Sequence, residues 1–148
     1  MDAALEEAKI AFEEGEVPVG AVIVKNGEII GRGRNHRETK NDIASHAEIE
    51  AIRDAEKHLG KWSLDGSSIY VTVEPCLMCS GAIKQARISA VYYGAGDPSM
   101  GAVRSHYHVF DESNVEFDPL VYPGLKESEA SKLMKDFFAR RRKSAEKR

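Results

Sequence analysis

The chain has 148 residues, 42% hydrophobic and 30% charged, which suits one folded domain with its own core and excludes a disordered chain. No apolar run approaches the roughly 18 residues of a membrane span, and the acidic start (Asp2, Glu6, Glu7) has neither the basic nor the apolar region of a secretory signal. Two cysteines three positions apart exclude a disulfide-rich scaffold, so a cytoplasmic protein with no membrane partner is expected. The net charge of −3 is uneven: residues 140–148 carry six positive charges and one negative, leaving an acidic body with a basic end.

Leu5, Ala8, Ala11 and Phe12 recur at helical spacing and predict a first helix closed at Gly15. Val19–Lys25 and Glu28–Gly33 read as strands joined by the tight turn Asn26-Gly27. After an irregular stretch over 35–45, a second helix is expected from His46 to Leu59, stopped by Gly60. Ser68–Val73 reads as a central strand, and Pro75 is expected to open a third helix carrying Cys76 and Cys79. Ala90–Tyr93 forms the next strand and Val115–Phe117 a candidate fifth. A final helix from about Lys126 is expected to bury Ala130, Leu133, Met134, Phe137 and Phe138. This order predicts an α/β domain over 1–148, with helices on both faces of one sheet.

The chemistry concentrates in His46-Ala47-Glu48 and Pro75-Cys76-Leu77-Met78-Cys79. His46, Cys76 and Cys79 supply three ligands of types that suit zinc, which leaves a fourth position open, as catalytic zinc requires. A helix N-terminus favours thiolate, the form that binds metal. Glu48 lies two residues from a ligand and remains free to shuttle protons. A Cys-x-x-Cys pair alone also suits thioredoxin-like redox chemistry, but that reading leaves His46 and Glu48 unused. The combined pattern His-x-Glu and Pro-Cys-x-x-Cys is the mark of zinc-dependent nucleobase deaminases.

Over almost its whole length the chain resembles the bacterial tRNA-specific adenosine deaminases, within the cytidine-deaminase-like superfamily. The matching segments are Glu16-Val17-Pro18-Val19-Gly20-Ala21-Val22, Asn35, His46-Ala47-Glu48, Val73 to Ala82, Arg87-Ile88, Tyr93-Gly94-Ala95, Asp97 and Asp136-Phe137-Phe138 with Arg141 and Arg142. The resemblance implies a three-layer α-β-α sandwich around a mixed sheet of about five strands. It implies one Zn²⁺ per chain on His46, Cys76 and Cys79, with Glu48 as the catalytic proton shuttle. Ala47 and Pro75 would lie against the base, Asn35 would hydrogen-bond its edge, and Asp97 would meet the sugar–phosphate. It further implies a homodimer acting on the wobble adenosine of a tRNA anticodon loop. Arg140, Arg141, Arg142 and Lys143, on the helix of Phe137 and Phe138, are then candidate RNA contacts.

The chain also departs from the family. Asp42-Ile43-Ala44-Ser45 replaces the usual Asp-Pro-Thr-Ala, no lysine follows Asp97 within two residues, and 104–108 and 117–123 differ. These positions keep open a free-base deaminase acting on cytosine or guanine, with Tyr107, Phe110 or Tyr122 as a lid over a small pocket. Ordinary packing is the competing reading of those aromatics. His106 and His108 read as loop histidines rather than a second metal site. Trp62 reads as a cap over the end of the second helix. A non-catalytic RNA-binding subunit is disfavoured because Glu48 is present.

Overall fold

A computed structural model describes residues 1–111 and 118–146. Small residues on facing surfaces decide how closely its layers pack. Ala4, Ala8 and Ala11 form a fully buried stripe on α1 (Asp2–Glu13), and Ala47, Ala51 and Ala55 form another on α2 (Ala47–Leu59). Each stripe meets glycine. A Cβ at Gly20, which opens β1 (Gly20–Lys25), would collide with the Ala4 carbonyl; one at Gly33 in β2 (Glu28–Arg34) would collide with that of Ala47. α1 and α2 thus sit at backbone distance from opposite faces of the sheet. The hairpin between β1 and β2 turns at Asn26 and Gly27, both with positive φ (52° and 78°), as a type I′ turn requires.

The sheet continues through β3 (Ser68–Val73), β4 (Ala90–Ala95) and β5 (Leu120–Tyr122), in the order β2-β1-β3-β4-β5. β1 is antiparallel to β2 and β3, while β3, β4 and β5 run parallel, so the sheet is mixed. α2 and α3 (Leu77–Gln85) cover one face, over a core that includes Ile23, Ile69, Val71, Ile83 and Val91. α1 and α4 (Glu127–Glu146) cover the other, with Leu5, Ala95 and Ala130 between them and Phe12 edge-on to Phe137 at 5.7 Å. This is the expected three-layer α-β-α architecture.

Three expectations need correction or placement. The third helix does not open at Pro75. The Glu74 N–H binds the Ala95 carbonyl (2.8 Å) and the Pro75 carbonyl accepts from the Ala102 N–H (2.9 Å), so the chain stays extended through Cys76 and α3 begins at Leu77. The candidate strand Val115–Phe117 lies outside the described residues, and β5 is found at Leu120–Tyr122. In α4, Ala130 and Phe137 are buried but Phe138 is 38% exposed, because its side of the helix faces a cavity.

Candidate active site

Two helix N-termini converge beside the ends of β2 and β3. His46 is the N-cap of α2 (φ −81°, ψ 156°) and Cys76 the N-cap of α3 (φ −76°, ψ 179°), each with the extended backbone usual at that position. Both residues therefore stand where unpaired N–H groups and the positive helix end favour an anion. Cys79, one turn into α3, is fully buried. His46 Nδ1 lies 3.7 Å from Cys76 Sγ and 3.5 Å from Cys79 Sγ. All three donor atoms fall within 4.8 Å of one another.

That spacing fits a tetrahedral ion. Bonds of about 2.3 Å to sulfur and about 2.1 Å to nitrogen at tetrahedral angles hold S and N about 3.6 Å apart. The electrostatics point the same way. The Cys76 thiol is lowered to about 4, chiefly by the Cys79 thiol beside it and then by His46, against burial that pushes it up. The Cys79 thiol is driven upward by the Cys76 sulfur and by burial. Two thiols in contact cannot both ionise cheaply without a cation between them. Glu48, only 4% exposed, is raised to about 7, mainly by burial and further by the Cys76 charge.

His46, Cys76 and Glu48 form the floor of a cavity of about 560 Å³, with Cys79 buried behind them. Asn35, 8% exposed, lines one side; its Oδ1 accepts the Arg37 N–H at 3.2 Å. Ala47 and Asp97 also line the cavity. The Asp97 carboxylate turns into its own loop, accepting from the Ser99 N–H (3.1 Å), the Ser99 hydroxyl (2.9 Å) and the Met100 N–H (3.2 Å). Arg37, Lys135 and Arg141 stand around the wall as cations.

The MafB19-like deaminase family model matches residues 1–142. The tRNA-specific adenosine deaminase of Agrobacterium fabrum (strain C58 / ATCC 33970) is 46% identical over 142 residues, 96% of this chain and 93% of that protein. This chain belongs to the tRNA-specific adenosine deaminase family. A chain solved in a study of A-to-I editing by tRNA:A34 deaminases at the wobble position of transfer RNA superposes with TM-score 0.87 at 47% identity, covering 90% of this deaminase and 96% of that chain. A guanine deaminase from Bacillus subtilis is also similar, at 36% identity and TM-score 0.62 over 95% of this chain and 90% of that one.

Within this deaminase the cavity gathers His46, Cys76, Glu48, Ala47, Asn35 and Asp97, with Cys79 closing the donor trio behind. It does not gather every expected residue. Pro75 is buried, its carbonyl occupied by Ala102, and it is not among the lining residues. Among the described residues of the basic end, Arg141 alone lines the cavity; Arg140 packs over the Phe12 ring at 5.7 Å, and Arg142 and Lys143 are exposed on α4. None of the three aromatics considered as a lid is there. Phe110 is buried in the main core, Tyr107 lies edge-on to His106, and Tyr122 stacks on Tyr92 at 4.6 Å. Phe138 and Met134 of α4 line the cavity instead. Trp62 is 57% exposed under the Arg87 guanidinium, 5.3 Å from its ring centroid, rather than folded as a cap.

Sequence reasoning assigns no role to Glu16 or Glu74, both nearly fully buried. Glu16 accepts the Glu38 N–H (3.1 Å), the Thr39 N–H (2.6 Å) and the Thr39 hydroxyl, tying down the loop that follows Asn35. The signal that could have found them is chemical. An acidic residue embedded in an apolar segment, as in Val-Thr-Val-Glu-Pro, has to find donors.

Proposed function

We infer that this deaminase converts adenosine to inosine at the wobble position of a tRNA anticodon loop, using one Zn²⁺ on His46, Cys76 and Cys79. The observation that carries the reading is a half-buried His46 and Cys76 on the cavity floor, with buried Cys79 behind them and Glu48 beside them, under a wall bearing Arg37, Lys135 and Arg141. Two thiolates and an imidazole favour zinc over harder cations. Bound there, zinc would supply a water acidified toward a pKa of about 7.

The chain's own residues then do the proton work and the positioning. Glu48, poised near neutrality by burial, takes the proton from the attacking water as that oxygen bonds to C6 of adenine. It delivers that proton to the neighbouring ring nitrogen, then carries the second proton, from the hydroxyl now on C6, to the amine, which leaves as ammonia while the ring keeps the oxygen as a carbonyl. The Asn35 amide meets the base edge, and Ala47 presents backbone against the ring. The cationic wall suits the phosphates on either side of an unstacked loop base, a feature a free base lacks. Arg140, Arg142 and Lys143 extend that charge along α4.

The same reading makes residues 1–148 one deaminase domain, acting in the cytoplasm, where its substrate is. It works as a homodimer; the exposed Ile43 on the segment leading into α2, with Leu77 and Met78 on the first turn of α3, offers an apolar surface for the second copy. No helix among the described residues is long and apolar enough to cross a membrane. The deciding experiment measures ammonia release in parallel on a tRNA anticodon stem-loop, adenosine, cytosine and guanine. Turnover confined to the stem-loop is expected, and efficient turnover of guanine would overturn the reading.

A further inference from the structure

Glu74 lies between the end of β3 and the N-cap Cys76 and is 3% exposed. A carboxylate so buried needs donors. Its five hydrogen-bond donors all come from one distant segment, 97–105. Oε1 accepts the Asp97 N–H (3.0 Å) and the Ser105 hydroxyl; Oε2 accepts the N–H groups of Val103 (3.1 Å), Arg104 (2.8 Å) and Ser105 (2.9 Å). The segment wraps so tightly that a Cβ at Gly101 would overlap the Glu74 carboxyl carbon and approach the Asp97 carbonyl to 2.5 Å. Asp97, Pro98, Ser99 and Met100, at the start of this segment, form one wall of the cavity. They belong to no helix or strand.

We propose that Glu74 is a positioning residue, which hangs the Asp97–Met100 wall at a fixed distance from the metal-ligand turn and thereby sets the affinity for the nucleotide around the target base. The proposal rests on reading the cavity as a deaminase site. Glu74 reaches the wall through its side chain and Cys76 through two peptide bonds, so one residue keeps both sides in register. Other elements hold the reacting groups. His46 and Glu48 are fixed by α2 against β2, and Cys79 by the core of α3. Loosening the wall therefore weakens binding more than chemistry, whereas a purely architectural role would lower stability, metal content and turnover together.

Glu74→Gln tests this. The amide oxygen can still accept the three N–H groups at the Oε2 position, but its NH₂ then faces the Asp97 N–H, donor against donor. In the zinc-loaded enzyme, amide exchange over 97–105 should accelerate about tenfold, the scale of one broken hydrogen bond, with zinc still one per chain. KM for the anticodon stem-loop should rise about tenfold while kcat falls no more than about threefold. Ser105→Ala, which removes one donor and keeps the charge, should move exchange and KM the same way by less, and it serves if the Gln variant folds poorly. Unchanged exchange over 97–105, or a fall in kcat with KM constant, would overturn the proposal. Should the wild type deaminate guanine and not the stem-loop, the substrate reading fails on its own, while the exchange readout and the KM–kcat split on guanine still decide the role of Glu74.

Discussion

Three buried carboxylates do different work here because their surroundings differ. Glu48 has few donors and is pushed up to about 7 by burial. In Glu16 and Glu74 burial also pushes upward, but hydrogen bonds from Thr39 and Glu38, and from Ser105, Arg104 and Asp97, outweigh it and hold both groups below the ordinary carboxylate range. Glu48→Gln keeps the shape and removes the exchangeable charge. Its zinc content by atomic absorption should match the wild type, while ammonia release drops by about 10³-fold or more, the upper range for a missing general acid–base. A variant with near-normal turnover would remove Glu48 from the mechanism. For Glu16 the prediction concerns stability. A depressed pKa adds stability that is complete above the unfolded value, about 4.3, and is lost as pH falls through the lower folded value. Urea unfolding at pH 7 should show Glu16→Gln less stable by about 1–3 kcal/mol. That gap should narrow steadily below about pH 4, and a gap independent of pH would contradict the assignment.

At the scale of elements, the site depends on how closely α2 approaches β2. His46 and Glu48 sit at the first turn of α2, and that turn lies on Gly33, where only a hydrogen fits beneath the Ala47 carbonyl. Gly33→Ala should lift the start of α2 and cost about 1–3 kcal/mol, the usual range for overpacking. Zinc affinity should fall with it, read by competition with a chromogenic chelator, since one ligand leaves its place. Gly27→Ala serves as the control. It carries a positive-φ cost but lies in the hairpin turn at the far end of β1, and it should leave zinc affinity alone. The elements themselves were largely legible in the sequence. Alternating and 3.6-residue apolar patterns located the helices and the strands from β1 to β4 to within about two residues. β5 was not, because Leu120–Tyr122 has only three residues and is largely exposed, so it carries no burial pattern. Nor was the start of α3, where pairing of Glu74 with Ala95 and of Pro75 with Ala102 overrides the helix-opening preference of proline.

For the whole molecule, charge is the property that bears on the substrate. The basic end of α4 runs past the cavity, with Arg141 on its wall and the surrounding body acidic. Deleting residues 140–148 should weaken binding of an anticodon stem-loop and flatten its dependence on salt, because every phosphate left without a cation takes about 0.7 off the log–log slope for a single strand. Turnover of any free base should change far less. An unaltered slope between low and moderate salt would exclude the tail from RNA binding. The sequence by itself determined the chemistry: the kinds and order of His46, Glu48, Cys76 and Cys79 admit an open metal site with a spare carboxylate, whatever surrounds them. It also determined the order of the four helices and of the strands from β1 to β4, since local periodicity needs no long-range information. Only the tertiary structure decided what meets the substrate. Whether Pro75 or Glu74 faces the cavity, whether Phe138 or Tyr107 walls it, and which arginine reaches it depend on packing between residues far apart in the chain. Local patterns do not encode that packing, and the buried carboxylates that fix it become intelligible only once their donors, 22 to 31 residues away, are seen.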